Sequence, residues 1–250
     1  MPSKDFCLPD VIFHADWSAN PAKRWMALAL RSSEGHCAAY HPTLVGDPTT
    51  LLYRLREIAG RDGIILAGFD FPIGLPVEYA RKVGVEDFLD LLPDLGRGRW
   101  KDFFSMKELN LSIWPFSGPL MHLLKPGRII IAETYPADVY THLGISFSYH
   151  GPGRKSGKRV QVDRAANAER LIDWAQQTGV SLADELRLGM ESGLGSASGR
   201  EDLFDACIGL FGMLNVVLGR RPAGDPQDSE VRRVEGWILG QGNHPIPAFA

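Results

Sequence analysis

Ile64 to Gly74 reads IILAGFDFPIG, and this stretch decides the fold. A continuous apolar run follows the turn Arg61-Asp62-Gly63 and ends in an aspartate, which predicts a strand buried on both faces over 64–70. Pro72 and Gly74 stop it. Asp70 then stands where a buried strand leaves its sheet, the place where α/β sheets bind ligands. A carboxylate there is costly unless it has a partner. The design recurs twice. Val11-Ile12-Phe13-His14-Ala15 runs into Asp16 and the turn-like Trp17-Ser18-Ala19-Asn20-Pro21; Arg128-Ile129-Ile130-Ile131-Ala132 runs into Glu133 and Thr134-Tyr135-Pro136. If these strands are parallel, three acids share one edge of one sheet.

Around this frame, segments 24–30 and 35–41 read as two strands of an antiparallel hairpin linked by Arg31-Ser32-Ser33-Glu34. Asp47-Pro48 reads as an N-cap and first helical position, with Leu51, Leu52, Leu55, Ile58 and Ala59 on one face and Gly60 as the stop. The predicted order is β-β-β-α-β. Residues 75–127 break the rhythm with short helical pieces (77–83, 85–92), the run Gly96-Arg97-Gly98-Arg99-Trp100-Lys101 and several aromatics, and read as an insertion covering the strand edge. After the fifth strand at 128–133 come a glycine-rich basic loop at 151–159, a helix over 164–178 capped by Asp163 and stopped by Gly179, and a shorter helix capped by Ser181. Ser198-Gly-Arg-Glu201 has the form of a capping box. The helix it opens, Asp202 to Leu218, is apolar nearly all round after Asp205 and therefore buried. Asp202 and Asp205 fall on one face in its first turn, where the helix dipole favours negative charge. A short strand at 236–239 closes the domain before an irregular tail.

The 250 residues fit a single domain, 1–250, with the inserted segment at about 75–127. A 44% hydrophobic and 23% charged composition is that of an ordinary globular chain. The net charge of −3 gives no global field for nucleic acid, so a nucleic-acid site would be a local patch. Three cysteines without metal-ligand spacing, no membrane-length apolar run and no signal-peptide pattern make a cytoplasmic setting the expectation.

Five carboxylates are thus candidates for one cluster: Asp16, Asp70, Glu133, Asp202 and Asp205. Converging like charges repel unless a cation neutralises them. An oxygen-only donor set suits Mg²⁺ or Mn²⁺, and two such ions can clamp the attacking and leaving oxygens of a phosphodiester cleavage. Ser18 and the basic residues Arg154, Lys155, Lys158 and Arg159 are candidates for holding substrate phosphate, although the glycines of that loop match no Walker pattern. Arg97, Arg99, Trp100 and Lys101 mix base-stacking and phosphate-binding types. Each residue also has a plainer reading: an Asx-turn for Asp16, a turn residue for Asp70, a bond to Tyr135 or nearby amides for Glu133, helix-capping acids for Asp202 and Asp205, a solvated loop for 151–159, and packing for Trp100.

An Asp ending the first strand, an acid after the fourth and a D-x-x-D-A turn (Asp202, Asp205, Ala206) resemble the ribonuclease H-like fold, particularly its RuvC-like branch. More narrowly, HADWSAN, GFDFPIG, AETYP, LFDACIGL and EGWI, in this order, resemble the DUF429 family of predicted ribonuclease H-like nucleases over most of the chain. The resemblance implies a mixed central sheet with helices on both faces, and metal-bound acids at Asp16, Asp70 and Asp205 with Asp202 or Glu133 in support. It departs from the general pattern in lacking an acid well placed in the helix after the third strand, since Glu57 sits near that helix's end, and in carrying Glu133. The expected function is a metal-dependent phosphodiesterase acting on nucleic acid or a nucleotide. The alternatives are a non-catalytic binding module on the same fold and, less favoured for want of a second lobe and glycine-rich loops, an actin- or sugar-kinase-like phosphotransferase.

Overall fold

The computed structural model describes residues 8–18, 20–71, 73–95, 97–101, 128–153, 157–224, 226–235 and 238–241. Its centre is β1 (Val11–Asp16), every residue of which is buried. β1 pairs antiparallel with β2 (Trp25–Arg31), and β2 pairs antiparallel with β3 (Cys37–Ala39) across a turn in which Gly35 takes a positive φ. The hairpin read from the sequence is present. A two-residue strand that the sequence did not signal, β4 (Thr43–Leu44), pairs with the start of β2. α1 (Leu51–Ala59) follows a 3-10 turn at Pro48–Thr50, which Asp47 caps by accepting the Thr49 N–H at 2.9 Å. β5 (Ile65–Phe69) and β6 (Ile129–Glu133) then add parallel strands beside β1, and with β7 (Ser181–Leu182) at the far edge they give a mixed sheet of order β6-β5-β1-β2-β3-β7.

The sheet separates two apolar layers. On one face Phe13, Ala15, Ala67 and Phe69 pack with Leu51, Leu52 and Leu55 of α1. On the other, Ile12, Leu66 and Ala132 pack against the helix here labelled α8 (Arg200–Val217). Between β5 and β6 come α2 (Val77–Val83) and α3 (Phe88–Leu91); with Trp100 they form a small core of their own that includes Val234 of α9 (Ser229–Val234). Trp100 is buried there, so packing accounts for it. Phe103, Phe104, Trp114 and Phe116 lie outside the described residues, as do 236 and 237, the first half of the closing strand; Ile238 makes a parallel bridge to Glu133.

Three local expectations change. The helix read over 164–178 is two: α5 (Gln161–Ala165) and α6 (Ala168–Thr178), after α4 (Pro136–His142). Asp163 lies inside α5, facing His150 Nε2 at 2.8 Å, and the Asn167 side chain bonds the backbone of Ser146 and the Asp163 carbonyl, so both polar groups are drawn into a buried network instead of capping. Ser181 is not a cap but starts β7 (Ser181–Leu182), a parallel edge partner of β3, and α7 (Asp184–Glu191) begins after it. Ser198 is not the cap either: Gly199, at φ +82°, is the residue before α8, and among the described residues no side-chain cap bond to the first amides is made. That shift leaves Asp202 in the first turn and puts Asp205 in the second. Among the described residues no helix is long and apolar enough to cross a membrane.

α8 approaches β1 closely because position 209 has no side chain: a Cβ there would collide with the imidazole of His14. Overpacking of this kind costs about 1–3 kcal/mol. Gly209→Ala is therefore expected to lower the melting temperature by several degrees, and the loss should shrink in a His14→Ala background, which thermal unfolding of the four proteins will show.

Candidate functional site

The parallel register places the acids. Ala15 stands beside Phe69, and Phe69 beside Glu133. Asp16 and Asp70, one residue further along, are therefore neighbours at the carboxyl end of the sheet. Both project on the α8 face, because side chains alternate and Phe69 faces α1. Glu133 is level with Phe69, not with Asp70, and so projects on the opposite face, where its carboxylate accepts the Ile73 N–H at 3.1 Å. The residue in the Asp70 row is Thr134, buried, with its hydroxyl unpartnered among the described residues. One position of register thus separates Glu133 from the other acids.

α8 brings the remaining two. Its fit against β1 is fixed by the His14–Gly209 contact and by a hydrogen bond of 3.1 Å between His14 Nδ1 and the Ala206 carbonyl. A carbonyl only accepts, so this nitrogen carries the proton. Burial, partly offset by this bond, drives the His14 pKa down to about 3, and the ring is neutral. Asp205, next to Ala206, is thereby held over Asp16, and Asp202 stands one turn earlier with Oδ2 buried and unpartnered among the described residues.

Asp16 and Asp70 share a hydrogen bond, and Asp70 Oδ1 also accepts the Trp17 N–H at 2.6 Å. Burial raises the pKa of Asp16 most, followed by repulsion from Asp70, Asp205 and Asp202. Burial likewise raises Asp70, against the favourable bonds from Trp17 and Asp16. Asp205 and Asp202 are raised too, each chiefly by burial. Asp205 has two partners. The Tyr140 hydroxyl donates to Oδ1 and the Lys158 ammonium pairs with Oδ2. Burial and then Asp205 push the Tyr140 pKa up, so the phenol keeps its proton. Burial lowers the Lys158 pKa, but Asp205, and then Asp16 and Asp202, outweigh it; the net direction is up and the amine is charged.

Of the other sequence candidates, Ser18 spends its hydroxyl on the Asn20 N–H at 3.2 Å and its carbonyl on Arg24 Nε at 2.6 Å. Arg159 is exposed on the 3-10 turn Gly157–Arg159. Arg154 and Lys155 lie outside the described residues. Sequence reasoning missed Tyr140, which reaches Asp205 because α4 packs closely on α8 where Gly212 leaves room for Val139. It also missed Arg164, buried, which donates to the carbonyls of Lys158 (2.5 Å), Gly193 (2.8 Å) and Gly195 (2.6 Å). Nothing local marks it: α5 reads QVDRA, its buried residues are Asp163 and Arg164, and Val162 is exposed.

Among the described residues, no three His, Cys, Asp or Glu side chains stand ready to hold one metal ion. The donor set nonetheless fits a hard divalent cation: all are carboxylate oxygens, Asp202 Oδ2 has no hydrogen-bond partner among the described residues, and Asp16 and Asp70 are adjacent. Mg²⁺ is commonly held by one or two carboxylates with water and substrate phosphate completing the shell. Comparison with protein-family models, curated proteins and solved structures gives no match.

Folded Asp16 keeps its proton above the ordinary carboxylate range, whereas the unfolded chain releases it near pH 4. The stability tied to that proton is complete below about pH 4 and is lost as pH rises, at about 1.4 kcal/mol per pH unit, until the folded group ionises. Asp16→Asn removes this titration. In chelator, its melting temperature relative to wild type is expected to climb between pH 5 and pH 8; a flat or falling difference would show that Asp16 is not charge-stressed.

Proposed function

We propose that the acid cluster is the centre of a metal-dependent phosphodiesterase of the ribonuclease H-like fold, in its RuvC-like branch and with the DUF429 pattern, acting on nucleic acid or a nucleotide. The observation that carries the reading is the hydrogen-bonded pair Asp16–Asp70 at the carboxyl edge of parallel strands, with Asp205 and Asp202 brought over it by α8. The order of elements supports the fold: an antiparallel start of three strands, a helix, parallel strands beside the first, and a buried late helix that carries the acids.

Asp16 and Asp70 would hold a Mg²⁺ or Mn²⁺ ion, which supplies charge stabilisation and an activated water. The residues of the chain do the rest. Asp205 is oriented by Tyr140 and Lys158. Asp202 offers an oxygen without a competing donor among the described residues. His14, neutral and fully buried, fixes the spacing between β1 and α8 without adding charge. In the hydrolysis, water oxygen bonds to phosphorus and gives up a proton to solvent or to a carboxylate, the bond from phosphorus to the leaving oxygen breaks, and that oxygen takes a proton from solvent, so that diester and water become monoester and alcohol. Glu133, on the far face, is assigned to holding the Ile73 loop.

One observation favours a second reading, a binding module without turnover: Lys158 already neutralises Asp205. Thermal unfolding with Mg²⁺ and Mn²⁺ separates the two. At metal about 100-fold above Kd the linkage is about 2.7 kcal/mol, which for a chain of this size is a rise of roughly 5–10 °C. The phosphodiesterase reading expects that rise in wild type, its loss in Asp70→Asn, and metal-dependent cleavage of single- or double-stranded DNA or RNA, or of a nucleotide diester, that Asp70→Asn lowers by roughly 10²-fold or more. A protein that ignores both metals and cleaves none of these is a binding module.

A further inference from the structure

The basic loop was read as a phosphate grip, yet the structure sends one of its lysines inward. Lys158 pairs through Nζ with Asp205 Oδ2, and its charge also acts on Asp16 and Asp202. This placement is built from the backbone up. Arg164, itself buried, fixes the Lys158 carbonyl at 2.5 Å and ties it to the Gly193 and Gly195 carbonyls at 2.8 and 2.6 Å. Both glycines, with Leu194 between them at φ +60°, have positive φ, which turns these carbonyls toward the guanidinium. The backbone at Lys158 is thus anchored to the body of the domain, and the flexible part of the residue is only its four-carbon stem. An ammonium fed into a carboxylate cluster from an anchored backbone is a cation supplied by the chain itself.

We propose that Lys158, held by Arg164, is the built-in cation of the acid cluster and competes with a divalent metal ion for Asp205. This inference rests on the proposed metal site and adds its regulation. With the amine on Asp205, the site offers an incoming ion Asp16 and Asp70 but withholds the carboxylate opposite them. An ion that recruits Asp205 must displace the amine, which is then free to meet a substrate phosphate. Metal affinity in the absence of substrate is consequently low, and phosphate and metal load together, because the phosphate supplies the anion that the displaced amine needs.

Titration calorimetry with Mn²⁺ tests this without any assay of turnover. Wild type, Lys158→Met, Lys158→Arg and Lys158→Met/Asp205→Asn are compared at pH 7.5, with circular dichroism to show that each is folded. Lys158→Met is expected to bind Mn²⁺ at least tenfold more tightly than wild type. Lys158→Arg keeps the charge and should stay weak, and the double variant should lose the gain. Should Lys158→Met fail to fold, Arg164→Lys, which loosens the anchor and leaves every charge in place, is expected to give an intermediate gain. Equal or weaker binding by Lys158→Met overturns the competition while leaving the metal site standing. Absence of Mn²⁺ binding in all variants overturns both, and the two failures are told apart by whether wild type binds at all.

Discussion

Four carboxylates gathered at the end of a buried sheet repel one another, and the surroundings of Asp16 are organised by that repulsion. Water screens such charges poorly once they are buried. The protein answers in three ways. Asp16 retains a proton and gives it to Asp70 as a hydrogen bond. Asp205 takes a hydroxyl from Tyr140 and an ammonium from Lys158. Asp202 keeps some contact with solvent and feels Lys23 and Lys158. Removing one partner of a buried charge is far more damaging than the net worth of the pair suggests, so these contacts hold the site in one arrangement more than they stabilise the fold.

The sheet and α8 could hold the acids further apart, and glycine prevents it. Gly209 lies against the His14 ring, Gly212 against Val139 of α4, and Gly68 of β5 against Met213 and Thr134. In each case a methyl group would meet a neighbouring side chain at less than contact distance. These three positions, two on the helix and one on the strand it covers, set how near α8 comes to β1, β5 and α4. Tyr140 meets Asp205 for that reason, since it sits one residue beyond Val139.

A second polar group of residues lies beside the acids and faces them only through the backbone. Arg164, Asn167 and Asp163 are all buried on or between α5 and α6, and they bond carbonyls and amides of 146, 158, 193 and 195. Buried polar groups with their bonds made are rigid, and with bonds missing they are costly. Asn167 stands at the break between α5 and α6, where its side chain bonds both the backbone of Ser146 and the Asp163 carbonyl. The contact of His150 Nε2 with the Asp163 carboxylate, at 2.8 Å, belongs to the same network.

The strands were legible because burial on both faces leaves a mark that needs no partner to be read: VIFHAD, IILAGF and IIIAE are apolar runs that stop at an acid. The same holds for α8, whose apolar circumference announced its burial, and for the hairpin of β2 and β3. Asp16, Asp70, Asp202 and Asp205 could be named as a group from their places at the ends of these elements. Glu133 could not be sorted from them, since strand register is a relation between two strands, and a shift of one residue turns a side chain to the other face. Tyr140, Arg164 and the inward course of Lys158 were hidden for a related reason. A tyrosine on one short helix, an arginine on another and a lysine in a glycine-rich loop each have an ordinary exposed role, and only the docking of α4 on α8 and the carbonyls of 193 and 195 give them another. The sequence by itself determined which segments would be buried and which acids would stand at their ends, because both are local consequences of hydrophobicity and chain punctuation. Tertiary structure alone decided which acids face one another and which cation reaches them, because that depends on register and on close approach between elements distant in the chain.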